Sequence, residues 1–148
     1  MAHTYREPRP IAAADSVIFG QREDSLDVLL IERGHEPYKG QWAIPGGFVN
    51  DNEPLDDAAA RELEEETGLK GLDLEQVRAF GDPGRDPRGW AISVVYTAVI
   101  DPEAHTVQAA DDAVNAQWFP LDDLPPLAFD HAHIVAYAHR WLRERNAL

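Results

Sequence analysis

The chain has 148 residues, no cysteine, 44% hydrophobic residues, and 27 acidic against 13 basic side chains, for a formal net charge of −14. This length fits one ordinary domain with a packed core. The missing cysteines exclude a disulfide framework and any thiolate nucleophile or metal ligand, and they favour a cytoplasmic location. The acidity argues against nucleic acid as a partner, and no apolar run approaches the roughly 20 residues that a membrane span requires.

The first third of the chain predicts an arm, two strands and a long loop. Residues 1–10 include prolines in a charged context and are expected to form an extended arm before a single domain over residues 11–148. Apolar and β-branched runs predict strands over residues 11–19 and 26–31. Residues 32–52 are rich in glycine and proline, which indicates a long loop of the kind that often carries function.

The rest of the chain predicts two helices and three strands. A helix is expected from Pro54 to about Thr67, because proline suits a first helical turn and Gly68 is a natural C-terminal stop. Strands are predicted over residues 72–80, 91–100 and 115–119, with loops over 81–90 and 102–113 and a final helix over 130–146. One helix between strands and one at the end favour an α/β fold in which helices sandwich a mixed sheet.

The final helix has recognisable start signals. Asp130 is expected to be its N-cap, and Phe129 and Ile134 have the spacing of a hydrophobic staple. Apolar residues recur at helical spacing and are predicted to be core contacts, namely Ile134, Tyr137, Ala138, Trp141 and Leu142.

The first helix carries glutamates beside its apolar stripe. At about 100° per residue, Glu62, Glu65 and Glu66 share one arc, which overlaps the arc that holds Leu55, Ala58 and Ala59. Glu64 points to the far side. A solvated charged face is the alternative interpretation, but like charges crowded near a core are costly unless a cation compensates them.

The ligands available to such a cation are oxygens. Oxygen-only sites favour a hard ion such as Mg²⁺ or Mn²⁺. Arg61 can orient a glutamate as a supporting partner, and the Gly46–Gly47 pair allows the backbone to approach and turn a carbonyl toward the same ion. A plain turn is the alternative for the two glycines.

The same segment resembles the signature of a known family, the Nudix box. Every signature position is filled across 23 residues: Gly47, five residues, Glu53, seven residues, then Arg61, Glu62, Leu63, Glu65, Glu66, Gly68 and Leu69. The resemblance implies a Nudix-like α/β/α sandwich that hydrolyses a nucleoside diphosphate linked to another moiety. It further implies that Glu62, Glu65 and Glu66, with the carbonyl of Gly46, hold Mg²⁺ or Mn²⁺, and that Glu53 and Arg61 support the glutamates.

Segments outside the box resemble the ADP-ribose pyrophosphatase branch of this family. They are residues 8–10, 42–49, 81–89 and 129–131. The resemblance implies ADP-ribose as the first-choice substrate, cleaved to AMP and ribose 5-phosphate. The sequence itself does not give the oligomeric state. Members of this branch often form dimers, so the resemblance leaves a homodimer open, in which the N-terminal arm could exchange between subunits.

Candidate substrate contacts are Arg33, Trp42, Gly47, Arg85 and Arg88. Arginines suit an anionic substrate, and a tryptophan ring can stack on adenine. Each has a structural alternative: Arg85 and Arg88 can pair with Asp82 and Asp86 within their loop, and Trp42 can be a packing residue.

The general base is the least determined role. Family members use either a box glutamate or an acid on a loop outside it, which makes Glu65 the first candidate and Asp112, next to Asp111, the second. The six histidines show no metal-ligand spacing, and His131 and His133 are expected to serve the start of the final helix. Two other functions remain open: a module that senses ADP-ribose without turnover, and a Nudix enzyme for nucleoside triphosphates or dinucleotides.

Overall fold

The computed structural model describes residues 5–109 and 113–148. Among them, seven strands and two α-helices follow one another along the chain. In order they are β1 (Ile11–Gln21), β2 (Leu26–Arg33), β3 (Trp42–Ala43), β4 (Gly46–Phe48), α1 (Leu55–Thr67), β5 (Glu75–Phe80), β6 (Ala91–Ile100), β7 (Ala113–Pro120) and α2 (His131–Glu144). A single 3₁₀ turn, Pro102–Ala104, lies between β6 and β7.

Strand β1 is the centre of a mixed sheet. It pairs in parallel with β6, from Ile11 opposite Ala91 to Gly20 opposite Ile100, and antiparallel with β2 and β4. The main order is β3-β2-β1-β6-β5, and β7 pairs with β2. The predicted mixed sheet is therefore confirmed.

The two faces of the sheet are covered by different helices. Alternate residues of β1 point to opposite faces: Val17 and Phe19 pack in the cluster that contains α2, while Ile18 packs with Leu63 of α1. Burial of both faces explains why β1 is apolar over most of its length. The α/β/α sandwich is confirmed, and so are the core positions that helical spacing predicts on α2.

The differences from the predicted elements are small and have local causes. The loop predicted over residues 32–52 contains the short strands β3 and β4, which are too brief to show any periodicity. Leu55, expected in the apolar stripe of α1, is 36% exposed, while Ala58 and Ala59 are buried against the sheet.

The start of α2 differs from the prediction. Asp130 occupies the N-cap position, but its side chain makes no capping hydrogen bond. Its carboxylate instead accepts two hydrogen bonds from Arg85, at 2.7 and 2.9 Å. Phe129 and Ile134 pack in different hydrophobic clusters, so the expected staple is wrong.

Neither described helix is both long and apolar enough to cross a membrane.

Candidate active site

Helix α1 presents its glutamates at three levels of burial. Glu66 is 8% exposed, whereas the side chains of Glu62 and Glu65 are 15% and 42% exposed. Glu64 is exposed on the other side of the helix. Gly68 ends the helix with a φ of 78°, and its N–H donates to the Glu64 carbonyl. The acidic residues therefore follow the helical periodicity, with Glu66 nearest the core.

The glycine pair brings backbone against these carboxylates. The N–H of Gly46 donates to Oε1 of Glu66 at 2.6 Å. A Cβ at Gly47 would lie 2.7 Å from the carboxylate carbon of Glu62, and one at Gly46 would lie 2.6 Å from the Cα of Asp15. Gly46 requires glycine, because its φ is +155° and a Cβ there would collide with the backbone of β1, whereas a side chain at Gly47 would displace the carboxylate of Glu62.

Arg61 is the cation at the centre of the acidic group. Its guanidinium donates twice to Glu53, at 2.7 and 2.9 Å, once to Glu62 at 2.8 Å and once to Glu65 at 3.1 Å. A fifth bond reaches the carbonyl of Phe48 at 3.2 Å. The planar fork of arginine suits several acceptors at once, so this one residue ties the helix to the glycine loop.

Burial makes the glutamate charges costly. It raises the pKa of Glu66 to about 8, and the N–H of Gly46 opposes this only in part. Burial also raises the pKa of Glu62, against the opposing hydrogen bond from Arg61. A carboxylate in such surroundings is stabilised by any cation that approaches it.

The donor atoms of this group suit a hard cation. They are carboxylate oxygens together with nearby backbone carbonyls, which Mg²⁺ and Mn²⁺ prefer. Within residues 5–109 and 113–148, no three acidic or histidine side chains converge in the geometry of a metal centre, because Glu62 and Glu65 turn to Arg61 and Glu66 turns to Gly46. The chemistry of the donors fits the ion, although the carboxylates would have to reorient to bind it together.

A cavity of about 270 Å³ lies beside the glutamates. Acidic and basic side chains both line it, and the acidic ones include Glu62 and Glu66. Gly46 and Gly47 also border the cavity, and so do all three candidate arginines, Arg33, Arg85 and Arg88. The structure thus brings together an acidic cluster and a set of arginines, which is an arrangement suited to an anion bridged by metal ions.

The three arginines are held differently. The Arg85 side chain is 6% exposed, and its guanidinium donates two hydrogen bonds to Asp130. The structural alternative, a pair with an aspartate of its own loop, is therefore wrong for Arg85. Arg88 pairs with Asp86, as that alternative predicts, and its guanidinium carbon lies 4.5 Å from the centre of the Phe48 ring. Arg33 donates its Nε–H to the carbonyl of Pro37 at 2.7 Å. Arg85 is therefore a fixed part of the cavity wall.

Trp42 belongs to the core. Its ring lies 4.7 Å from that of Phe119 in an edge-to-face contact, within the cluster that includes α2. It is not among the described residues that line the cavity. These contacts favour the packing alternative over adenine stacking. Asp111 and Asp112 lie outside the described residues.

Two residues of the cavity escaped the sequence prediction as site residues. Asp15 lies on β1, its carboxylate accepts a hydrogen bond from the hydroxyl of Ser93, and burial raises its pKa to about 6. An acid inside an otherwise apolar strand was the available signal. His131 is the other, and its Nδ1 accepts a hydrogen bond from the N–H of Ile44 at 3.1 Å. His131 and Ile44 are far apart in the sequence, so only the fold brings them together.

His131 predicts a dependence of stability on pH. Burial lowers its pKa to about 3, with Asp130 opposing and Arg85 and Arg33 reinforcing the shift. The unfolded chain takes up this proton below about pH 6.5, so the unfolded state binds more protons between pH 6.5 and 3, and stability falls as pH drops through that window. We expect the free energy of unfolding, measured in urea at pH 7 and pH 5.5, to fall more for the native protein than for His131→Asn. Equal losses in both proteins would contradict the assignment.

Comparison with known proteins relates this geometry to a family. A family model described as the NUDIX domain matches residues 9–141. An ADP-ribose pyrophosphatase of Methanocaldococcus jannaschii is 41% identical over 132 residues, which are 89% of this chain and 75% of that protein. An ADPR-responsive transcriptional repressor, NtrR, of Acinetobacter baylyi is 37% identical over 143 residues, which are 94% of this chain and 57% of the repressor.

A solved structure shows the same fold with a ligand. The NUDIX domain of NrtR from Shewanella oneidensis, crystallised with ADP ribose, superposes with a TM-score of 0.85 and is 33% identical, over 92% of this chain and 90% of that one. The names of both sequence relatives thus refer to ADP-ribose, and the structural neighbour was crystallised with that ligand.

Proposed function

Because the chain belongs to the NUDIX domain family, we propose that it is a metal-dependent hydrolase of nucleoside diphosphates linked to another moiety, with ADP-ribose as the preferred substrate. The products would be AMP and ribose 5-phosphate. The observation that carries this proposal is the single cavity lined by both Glu62 and Glu66 of α1 and three arginines. The 41% identity to an ADP-ribose pyrophosphatase supports the choice of substrate.

The proposed metal ligands are the carboxylates of Glu62, Glu65 and Glu66 and the carbonyl of Gly46. Bound Mg²⁺ or Mn²⁺ would neutralise the diphosphate and lower the pKa of a water molecule. Arg61 and Glu53 would position the carboxylates, because the arginine bonds to Glu53, Glu62 and Glu65 at once. The chain's own part in the reaction is to orient the diphosphate for in-line attack by water.

Glu65 is the first candidate for the general base, and Asp112 is the second. Glu65 is the most exposed of the three glutamates and has a single described partner, Arg61. It can therefore reorient toward a water molecule at less cost than Glu66, which is buried against the backbone of the glycine loop.

Arg33 and Arg88 are the proposed contacts for the anionic substrate. In a chain with a net charge of −14, positive charge at the cavity is needed to attract a diphosphate. The Arg88 side chain is 40% exposed, so its guanidinium remains accessible although it pairs with Asp86. Arg85 would act indirectly, since both carboxylate oxygens of Asp130 hold its guanidinium in place.

A second candidate function is a sensor that binds ADP-ribose without turnover. The 37% identity to an ADPR-responsive repressor favours it, and that relative leaves binding of nucleic acid open. This chain spans 57% of the repressor's length. The presence of all the box glutamates favours the hydrolase, because a sensor without turnover does not need them.

The proposed function predicts release of AMP. The purified full chain, incubated with ADP-ribose and Mg²⁺ or Mn²⁺, is expected to form AMP and ribose 5-phosphate, and excess EDTA is expected to abolish this. Competition by nucleoside triphosphates, dinucleotides and other nucleoside diphosphate sugars would rank the substrates. Tight binding of ADP-ribose in calorimetry with no AMP formed under either metal would contradict the hydrolase and favour the sensor.

Three further expectations remain predictions. They are a cytoplasmic location, a homodimer, and the division into an arm over residues 1–10 and one domain over residues 11–148. In the described part of the arm, the guanidinium carbon of Arg9 lies 3.7 Å from the centre of the Tyr5 ring, and Tyr5 is 53% exposed.

A further inference from the structure

The ring of His131 is held in one orientation by the backbone. His131 is the first residue of α2 and is 5% exposed. Its Nδ1 accepts the hydrogen bond from Ile44 and therefore carries no hydrogen. In a neutral imidazole one nitrogen accepts and the other donates, so Nε2 carries the hydrogen. The ring is a donor at Nε2.

That donor has no partner among the described residues. The bond from Ile44 is the one hydrogen bond that the described part of the chain makes with the His131 ring, while the backbone N–H of His131 donates to the carbonyl of Ala128. Every buried side-chain nitrogen or oxygen in this part of the structure is bonded, so the Nε2 atom must be accessible from outside the protein. His131 lines the cavity beside the glutamates, and the cavity is where that access lies.

The surroundings keep the donor directed. The ring of Phe129 lies 5.2 Å from the imidazole ring and borders the same cavity. The peptide N–H of Ile44 fixes the other edge of the ring, so no side-chain rotation is needed when a ligand arrives. Such a preorganised donor loses little entropy on binding. Because it is uncharged, it can select for an acceptor atom without adding to the attraction that Arg33 and Arg88 already provide.

We propose that His131 is a ligand-binding residue whose Nε2–H donates to an acceptor oxygen of the nucleoside diphosphate derivative. The proposal rests on the proposed function for the identity of that ligand. The acceptor is a phosphoryl or hydroxyl oxygen, and it belongs either to the nucleoside monophosphate half of the ligand or to its sugar phosphate half. Inhibition by AMP and by ribose 5-phosphate shows which half carries the acceptor.

The decisive variant is His131→Asn. The Asn amide oxygen lies close to the position of Nδ1 and can accept the hydrogen bond from Ile44, while nothing replaces Nε2. We expect KM for ADP-ribose to rise about tenfold, as for loss of one hydrogen bond to a charged group, with a smaller change in kcat. The melting temperature at pH 7 should stay near that of the native protein, because the buried Ile44 N–H keeps its acceptor.

The matched control is His133→Asn. His133 is exposed on the same helix and makes an edge contact with Phe80, at 5.9 Å between ring centres. Neither KM nor the melting temperature should change. An unchanged KM in His131→Asn would overturn the proposal, and so would a fall in kcat alone with KM unaffected.

Product inhibition locates the acceptor. If it lies on the nucleoside half, His131→Asn should weaken inhibition by AMP about tenfold and leave inhibition by ribose 5-phosphate unchanged; the reverse holds for the sugar half. If AMP inhibits the variant as strongly as it inhibits the native protein, and ribose 5-phosphate does so too, the proposal is overturned.

Failure of this inference and failure of the proposed function give different results. If the native protein hydrolyses ADP-ribose and the variant has the same KM, the inference fails and the function stands. If the native protein binds ADP-ribose in calorimetry without turnover and the variant binds about tenfold more weakly, the inference stands and hydrolysis fails. If the native protein neither binds nor cleaves ADP-ribose, both fail.

Discussion

Replacing Glu66 with glutamine is expected to lower kcat for ADP-ribose by at least about 100-fold without loss of stability. The amide oxygen can still accept the hydrogen bond from Gly46, but a charged ligand of the proposed metal site is gone. The fold should be as stable as before or more stable, because the change removes a buried carboxylate whose pKa burial has raised to about 8. Steady-state kinetics and urea unfolding above pH 8 measure the two effects.

The control for this variant is Glu64→Gln. Glu64 lies on the same helix but is exposed on its opposite side, so neither activity nor stability should change by more than about twofold or 0.5 kcal/mol. A loss of stability in Glu66→Gln that accounts for its loss of activity would contradict the proposed role, and so would activity within a few-fold of the native enzyme.

Arg61→Ala is expected to impair both stability and activity. The side chain makes five hydrogen bonds, four of them to Glu53, Glu62 and Glu65. The side chains of Glu53 and Glu62 are each 15% exposed. Removal of Arg61 takes away the cation that compensates these two carboxylates. We expect a loss of about 2–4 kcal/mol in the free energy of unfolding and a 10–100-fold fall in kcat/KM, as for a residue that orients metal ligands.

A second variant separates charge from geometry. Arg61→Lys keeps the charge but cannot reach all the acceptors at once, so its stability should lie between those of native protein and Arg61→Ala. Arg140→Ala is the matched control: it breaks a 3.9 Å pair with Glu144 in which both side chains are 66% exposed, and it should change stability by less than about 0.5 kcal/mol. If all three variants were equally stable, Arg61 would not hold the acidic cluster together.

The large elements of this fold are readable from the sequence because their signals are local. Helix α1 begins after Pro54 and ends before a left-handed Gly68, and both features lie within the helix's own segment. Strand β6 has the bounds that its apolar run predicts. Strands β3 and β4, in contrast, exist because the chain pairs with distant β2 and β1, and no local pattern reports such pairing.

The acidic residues and the three arginines of the candidate site could be named from the sequence, but the contacts between distant segments that hold the site together could not. Glu62, Glu65 and Glu66 stand out because helical periodicity can be computed from neighbouring residues. The partners of Arg85 and His131 cannot be found in this way, since Asp130 and Ile44 are far away along the chain. Asp130 illustrates the difficulty: its position suits an N-cap, yet a tertiary contact with Arg85 takes its carboxylate instead.

The parallel pairing of β1 with β6 has a consequence for how the chain folds. Ile11 lies opposite Ala91, so the chain must close a large loop, at a considerable cost in entropy, before the middle of the sheet can form. Contacts between such distant segments slow folding, whereas α1 depends on neighbours along the chain and can form early. We therefore expect the glutamate-bearing helix to be formed transiently first and to find its lasting place only when the two central strands meet.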